Sequence, residues 1–273
     1  QAGNLVKTIA PKGVDNSFDG ALGYGGMSNS QSQVPAHKYE TKYQYNSYNQ
    51  LVSTANPDQQ GPTRFWYDKL GRIAASQNPQ QALENKYSYT LYDQLGRISS
   101  TGQTVTTVPL TTTILRSVLW ESLFGQWVGN GTQTEITIIR YDEDSPPVAA
   151  LFYNGKQENT RLRIASLYYY DVEGPVGDYA SAIYYSYDEH GNVKEQIQDV
   201  PALTPVQQDK KSTQYAYELI SGNMKEVAYQ KGKRDALTHR YHYDELNRLT
   251  EVEASISNKG IYFDRQARYH YYD

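Results

Sequence analysis

Tyr67-Asp68-Lys69-Leu70-Gly71-Arg72-Ile73 decides the reading of this chain, because the chain repeats it. The phrase returns as Tyr92-Asp93-Gln94-Leu95-Gly96-Arg97-Ile98, as Tyr187-Asp188-Glu189-His190-Gly191-Asn192-Val193 and as Tyr243-Asp244-Glu245-Leu246-Asn247-Arg248-Leu249. Self-similarity of this kind marks an array of small units that cannot bury a core alone. What matters first is what the array builds.

Each copy reads as a β-hairpin. Aromatic residues two apart precede the turn: Phe65 and Tyr67, Tyr185 and Tyr187, Tyr215 and Tyr217, Tyr241 and Tyr243. That spacing puts each pair on one face of an extended strand, and Tyr and Phe suit a pleated, half-buried surface. The aspartate that follows accepts from backbone N–H groups two residues on and starts a turn. Gly71, Gly96 and Gly191 come three residues after it, where a positive φ costs a glycine little. Asn247 takes this place in the fourth copy, and asparagine is the residue that best replaces glycine in a left-handed conformation. Ile73, Ile98, Val193 and Leu249 open the returning strand.

Weaker copies fit the same template. Tyr45-Asn46-Ser47-Tyr48-Asn49-Gln50-Leu51 has asparagine at both turn positions, and the copy from Tyr217 to Met224 carries one extra residue before Gly222. Phe263-Asp264-Arg265-Gln266-Ala267-Arg268-Tyr269 is expected to be another, with alanine at the turn. Tyr141-Asp142 and Tyr170-Asp171 are degenerate marks. Gly3-Asn4-Leu5-Val6 looks like the back half of a copy and Tyr272-Asp273 opens another, so the chain reads as a section of a longer array. Acid positions lie 22 residues apart from Asn46 to Asp68, 25 from there to Asp93, and 26 from Glu218 to Asp244. That length holds two ordinary strands and two turns. A lone hairpin is marginal in water, so stability must come from its neighbours.

At 273 residues the chain could form one or two ordinary domains. The repeat favours a single sheet segment over residues 1–273. Mean hydropathy is −0.74, and no segment reads as a transmembrane helix. Net charge is −4 with no basic stripe, which argues against nucleic acid as a partner. Cysteine is absent, which excludes disulfides and thiol chemistry. Tyr outnumbers Phe 27 to 5. Tyrosine offers an apolar ring plus a hydroxyl that needs a partner, which suits two wet surfaces better than a closed core.

Some stretches leave the rhythm. Residues 13–36 are rich in Gly, Ser, Asn and Gln and read as a long loop, with no Walker lysine or strand-to-helix context to make it a phosphate cradle. Thr104 to Thr113 reads as extended. Leu115, Leu119, Leu123 and Trp127 recur in four-residue steps and predict a short helix over 114–128, closed by Asn130-Gly131 and covering a sheet edge. A pair of buried strands is the alternative. Pro146-Pro147 is expected in a loop, and residues 201–211 in a polar connection.

The candidate chemistry is sparse. The acids recur at every turn and give way to Asn46 and Glu218, which a catalytic carboxylate would not tolerate; turn capping is the reading they support. Arg72, Arg97, Arg248 and Arg268 could form an anion-binding row, but Gln50 and Asn192 fill the same slot. A ladder of pairs with neighbouring carboxylates is expected instead. His239 and His242 lie three apart on a strand, face opposite sides and cannot share one metal. No cofactor site and no acid–base constellation announces itself. Asn130-Gly131-Thr132 matches a glycosylation sequon but is first a turn signal. Exposed tyrosines leave carbohydrate stacking as a further possibility.

The phrase Tyr-Asp-x-Leu-Gly-Arg-Ile, preceded by Tyr-x, resembles the YD repeat of the Rhs family. That family includes bacterial Rhs polymorphic toxins, the B and C components of insecticidal toxin complexes and the extracellular part of teneurins. The resemblance covers residues 40–100 and 185–273 well and the middle loosely. It implies a long β-sheet that winds as a spiral into a hollow shell, which in bacterial members encloses a C-terminal toxin domain. The partners it implies are the remainder of the same shell, the enclosed toxin or effector, and secretion machinery or surface carbohydrate. It also implies a secreted or cell-surface bacterial protein. The family's C-terminal core ends in an autoproteolysis site; nothing here matches it, so no catalytic residue is carried over.

The expectation is an all-β fold of consecutive antiparallel β-hairpins in one curved, spiralling YD-repeat sheet, with one short helical insertion. This segment is expected to be structural rather than enzymatic, with no metal and no cofactor. Its turn residues are Tyr67, Asp68, Gly71, Arg72, Tyr92, Asp93, Gly96, Arg97, Tyr187, Asp188, Gly191, Tyr243, Asp244, Asn247 and Arg248. The competing reading is a cell-surface adhesin that binds carbohydrate or a protein receptor.

Overall fold

The computed structural model describes residues 3–10, 39–142, 146–172, 178–257 and 262–272; the expected loop over 13–36 lies outside them. The fold is all-β, with sixteen strands among the described residues in one antiparallel sheet whose order follows the chain. They are β1 (Lys7–Ile9), β2 (Glu40–Tyr45), β3 (Leu51–Ala55), β4 (Thr63–Tyr67), β5 (Ile73–Gln77), β6 (Lys86–Tyr92), β7 (Ile98–Val105) and β8 (Thr132–Tyr141). Then come β9 (Ile164–Val172), β10 (Ser181–Tyr187), β11 (Val193–Asp199), β12 (Lys210–Tyr217), β13 (Met224–Tyr229), β14 (Leu237–Tyr243), β15 (Leu249–Ser255) and β16 (Asp264–Arg268). Short helices interrupt them: α1 (Pro79–Leu83), α2 (Thr112–Arg116), α3 (Trp120–Gly129) and α4 (Pro146–Ala149). The chain divides into two compact units, Gln1–Gly96 with Thr101–Thr134, and Arg97–Ser100 with Glu135–Asp273.

In the first unit the core lies between helices and sheet. Trp66, Ala75 and Tyr89 are successive cross-strand neighbours on β4, β5 and β6. Leu115, Phe124, Trp127 and Val128 bury themselves against this aromatic face. Tyr87 meets Trp66 and Trp127 edge-on, at ring-centroid distances of 5.6 and 5.1 Å, a geometry that adds to simple area burial. The expected single helix over 114–128 is two. Ser117 leaves helical geometry with ψ 153°, and α3 restarts in a new phase. Its buried face is therefore Trp120, Phe124, Trp127 and Val128, while Leu119 and Leu123 point outward. The helices cover a sheet face instead of an edge, because the aromatic rings of β4 and β6, with the alanines of β5 between them, form an apolar face that has to be buried. Thr104 and Val105 end β7, and Thr111 precedes α2, so the stretch to Thr113 is extended only at its start. α1 was not expected. Asn78 and Gln81 cap it reciprocally, and Pro79 is in its first turn, a start signal readable in Asn-Pro-Gln-Gln.

In the second unit Ala182, Tyr184 and Ile197 form a smaller core with Val148 and Phe152. Pro146 and Pro147 belong to α4 and not to a loop, consistent with proline's fit to a first helical turn. Pro201–Val206 is a 3-10 helix, and Lys210 already belongs to β12. The expected turn at Ala267 is a strand: Ala267 sits opposite Val252 in the β15–β16 ladder. Alanine lacks the left-handed tolerance that glycine and asparagine bring to that position.

Candidate functional site

The site that recurs is the turn. In the copy beginning at Tyr67, the Asp68 N–H donates to the Arg72 carbonyl at 2.9 Å, and the Gly71 N–H donates to the Asp68 carbonyl at 3.1 Å. Three residues are thus looped out and the last is left-handed, with φ 83° at Gly71. This is a three-residue hairpin turn with a bulge. Asp68 Oδ1 accepts from the N–H groups of Leu70 and Arg72, each at 2.9 Å, and Oδ2 accepts from Arg72 Nε at 2.7 Å. Asp244 repeats all three contacts with Leu246 and Arg248. Asp188 makes them with His190 and Asn192. In the copy at Tyr45 the ion pair becomes an amide pair: Asn46 Oδ1 caps Tyr48 and Gln50, and Asn46 Nδ2 donates to Gln50 Oε1 at 2.8 Å. Asp93 caps Leu95, while Arg97 reaches Asp142 of the next copy at 2.9 Å. The Glu218 copy closes one residue later, on Asn223, with Gly222 left-handed.

The tyrosine before each acid joins its copy to the one before. A register shift, the mark of a β-bulge, falls immediately before Tyr45, Tyr67, Tyr187, Tyr217 and Tyr243, and bulges re-aim side chains. From Tyr67 onward a tyrosine hydroxyl donates to the carbonyl of the residue that opens the returning strand of the preceding copy. Tyr67 reaches Leu51 at 2.8 Å, Tyr92 reaches Ile73 at 2.9 Å and Tyr141 reaches Ile98 at 3.0 Å. Tyr187 reaches Ile164 at 2.8 Å, Tyr217 reaches Val193 at 3.0 Å and Tyr243 reaches Met224 at 3.0 Å, while Tyr271, one place before the expected Tyr272-Asp273 mark, reaches Leu249 at 2.8 Å. Phenylalanine could supply the ring but not this bond, which gives the tyrosine excess a cause.

The arginine after the turn lies over the same tyrosine. Arg72 sits 3.9 Å from the Tyr92 ring centroid, Arg97 4.1 Å from Tyr141, Arg163 5.6 Å from Tyr187 and Arg248 4.7 Å from Tyr271. The expected arginine-to-carboxylate ladder is thus only half of the arrangement. Arg72 and Arg248 face their own aspartate, Arg97 faces the next one and Arg163 the Asn159 carbonyl, and each meets the next tyrosine ring in a cation–π contact. Arg268 lies within β16 and approaches Glu251 at 4.0 Å.

One copy is split, and sequence reasoning missed its second half. Asp142 N–H donates to the Arg163 carbonyl at 3.2 Å, the bond that closes the turns at Asn46, Asp68, Asp188 and Asp244. Leu162 takes the left-handed position with φ 62°, and its N–H donates to Asp142 Oδ1 across 20 residues of sequence. The signal was Arg163-Ile164, the same ending as Arg72-Ile73 and Arg97-Ile98. The inserted segment is tied to the sheet: Gln157 Nε2 donates to the carbonyls of Ala165 and Tyr185, the Tyr187 N–H donates to the Glu158 carbonyl at 3.0 Å, and Lys194 pairs with Glu158 at 2.6 Å. Tyr170 makes no comparable turn with Asp171, since both lie inside β9.

Electrostatics follow the hydrogen bonds. Burial raises the phenol pKa of Tyr67, Tyr187, Tyr217 and Tyr243, and of Tyr92 too, where Arg72 partly offsets it. Burial works to raise Asp188, but the Asn192 amide and the backbone N–H groups outweigh it and hold its carboxyl below the usual range. The backbone and side-chain bonds from Arg248 do the same for Asp244. Away from the turns, Asp199 accepts from the Tyr179 hydroxyl at 3.0 Å, which leaves the Tyr184 hydroxyl to donate to Tyr179 at 3.2 Å. Desolvation pushes both phenols upward, away from any role as a base near neutral pH. Among the described residues there is no cluster of His, Asp and Glu suited to a metal, and no helix is long and apolar enough to cross a membrane.

No protein-family model matches the chain, and no curated protein matches it. Solved structures do. The crystal structure of TcdB2-TccC3 aligns with 79% of this chain and 9% of its own, at 14% identity and a TM-score of 0.50. TcdB2-TccC3 without its hypervariable C-terminal region aligns with 83% of this chain and 11% of its own, at 13% identity and a TM-score of 0.48. A Photorhabdus luminescens Tc holotoxin pore does so over 83% and 11%, at 12% identity and a TM-score of 0.43. The chain therefore spans about a tenth of the length of the structures it matches. The resemblance to the Rhs/YD-repeat family, first carried by the tyrosine–aspartate phrase, thus extends to the fold, which this chain shares with the matched stretch of TcdB2-TccC3.

Proposed function

We propose that this chain is a section of the wall of an Rhs-type shell, and that the shell encloses a C-terminal toxin or effector. The observation that carries the proposal is the stitch: from Tyr67 onward a tyrosine hydroxyl binds each copy to the copy before it, and the copies lie side by side in an antiparallel sheet, so the array extends by adding copies. Sheets twist and coil by nature, and a long coiled sheet curls around a space. The fold shared with TcdB2-TccC3, a protein crystallised with and without a hypervariable C-terminal region, supports this direction. The segment acts by steric enclosure; its repeated acids are taken up in turns and its buried phenols are held protonated. Export from a bacterial cell, or display on its surface, belongs to the same proposal. Cryo-electron microscopy of the full-length protein that carries this segment tests it. A hollow particle with density for a lodged terminal domain is expected, and a solid particle without a cavity would contradict it.

A second reading, a surface adhesin, draws on the exposed rings of Tyr48, Tyr153 and Tyr262. Binding on a glycan array that disappears when these become alanine would favour it over the wall.

A further inference from the structure

Two positions in consecutive copies touch and vary together. One is the residue immediately after a turn; the other is the left-handed residue of the next turn. Where the first is long, the second is glycine. A methyl group built on Gly71 would lie 3.1 Å from Gln50 Nε2, on Gly96 3.2 Å from Arg72 Nη1, and on Gly191 2.5 Å from Arg163 Nη2. Where the first is asparagine, the second is asparagine and the two side chains hydrogen-bond. Asn4 Nδ2 donates to Asn49 Oδ1 at 3.1 Å, and Asn223 Nδ2 donates to Asn247 Oδ1 at 2.9 Å.

The long side chains cannot simply swing aside, because each is held. Gln50 accepts from Asn46, Arg72 is fixed between Asp68 and the Tyr92 ring, and Arg163 donates to the Asn159 carbonyl at 2.9 Å. Two neighbour pairs break the rule, and both involve an irregular turn. Nothing lies within 4 Å of a methyl on Gly222, whose turn is one residue longer, and Asn192 bonds its own Asp188 instead. Arg97 faces the split turn, where it pairs with Asp142.

We propose that these two positions form a matching pair that decides which copies can be neighbours: a tethered arginine or glutamine requires glycine opposite, and asparagine accepts asparagine. Strands of near-identical pattern are prone to slip or pair wrongly, and a steric mismatch at the tips is a device against it. The copy holding Asn247 is thereby barred from following the copy that ends in Arg72. The proposal stands on turn geometry alone. Its failure would leave the shell reading intact, and a solid particle would leave the pairing intact.

Double-mutant cycles on the whole chain test it, by denaturant unfolding and by amide exchange of the peptide spanning Leu95–Arg97 or Leu246–Arg248, which reads the tip even where unfolding is not two-state. Asparagine tolerates the left-handed backbone, so Gly96→Asn mainly probes the neighbour. The double variant Arg72→Asn with Gly96→Asn should be about tenfold more stable, or more protected, than the sum of its singles. Asn223→Arg with Asn247→Gly should behave alike. Asn192→Arg with Gly222→Asn, at the longer turn, should be additive. Additive effects in the first two cycles, or equal coupling in the third, would overturn the proposal.

Discussion

The regular copy at Tyr67 and the split copy at Tyr141 close the same turn by different means. In the first, Asp68 and Arg72 are four residues apart and the loop between them is three residues long. In the second, Asp142 and Leu162 are bonded across 20 residues, and a leucine holds φ 62° where the regular copies hold glycine or asparagine. The stitch continues on either side of the split: Tyr141 reaches back to Ile98, and Tyr187 reaches back to Ile164. What defines a repeat is therefore a set of hydrogen bonds, not a run of consecutive letters. The tip of the turn is where the array admits extra chain.

The comparison breaks most visibly at the anchor of the insertion. Phe152 is 3% exposed and packs on Tyr184 and Ile197. Phe152→Ala should cost about 3–5 kcal/mol in denaturant unfolding. Amide exchange should accelerate first around Thr160–Ile164, with the Asp68 turn unaffected. The two aspartates sharpen it further. Asp68 is 2% exposed and holds two backbone N–H groups and one guanidinium. Asp68→Ala should cost about 2–3 kcal/mol, and Asp142→Ala, at a more open site, about 1 kcal/mol. Equal costs would mean that the insertion, rather than the local turn, dictates the energetics.

The tyrosines give a smaller effect. Tyr187→Phe keeps the ring and leaves the Ile164 carbonyl without its donor, for about 1 kcal/mol; no change in the unfolding midpoint would show that water replaces the bond. The pH dependence is the mildest probe and has a definite sign. The phenols of Tyr67, Tyr92, Tyr187, Tyr217 and Tyr243 have raised pKa values in the folded state, so they contribute stability that is complete below about pH 10 and lost as pH rises through their folded values. Asp188 and Asp244 have lowered values, so their caps contribute fully above about pH 4 and fade as pH falls through the folded values. Stability flat from neutral to pH 12 would contradict the stitch.

Much of this architecture could be read from the residues. Tyr-Asp spacing, glycine or asparagine three places on and alternating aromatics place the regular hairpins, because each requirement is local. What escaped was non-local. The Arg163-Ile164 ending carries the signal of a turn whose beginning lies far upstream, and no local rule links it to Asp142. The four-residue stripe through Leu119 and Leu123 failed because a break at Ser117 reset the helical phase. Ala267 showed the template's limit: the letters around it match, but the residue that must go left-handed is missing. The stitch itself was foreshadowed only by composition, as tyrosines in excess of phenylalanines.

Segment-resolved amide hydrogen exchange on the intact chain, in wild type and in Asp142→Ala, tests the central claim most directly. The account predicts protection that recurs with the repeat, high in the strands flanking each tyrosine–aspartate phrase and low at the tips, with Leu162 and Arg163 losing protection in the variant. Uniform fast exchange across the phrases, or a Leu162–Arg163 segment indifferent to Asp142, would contradict it.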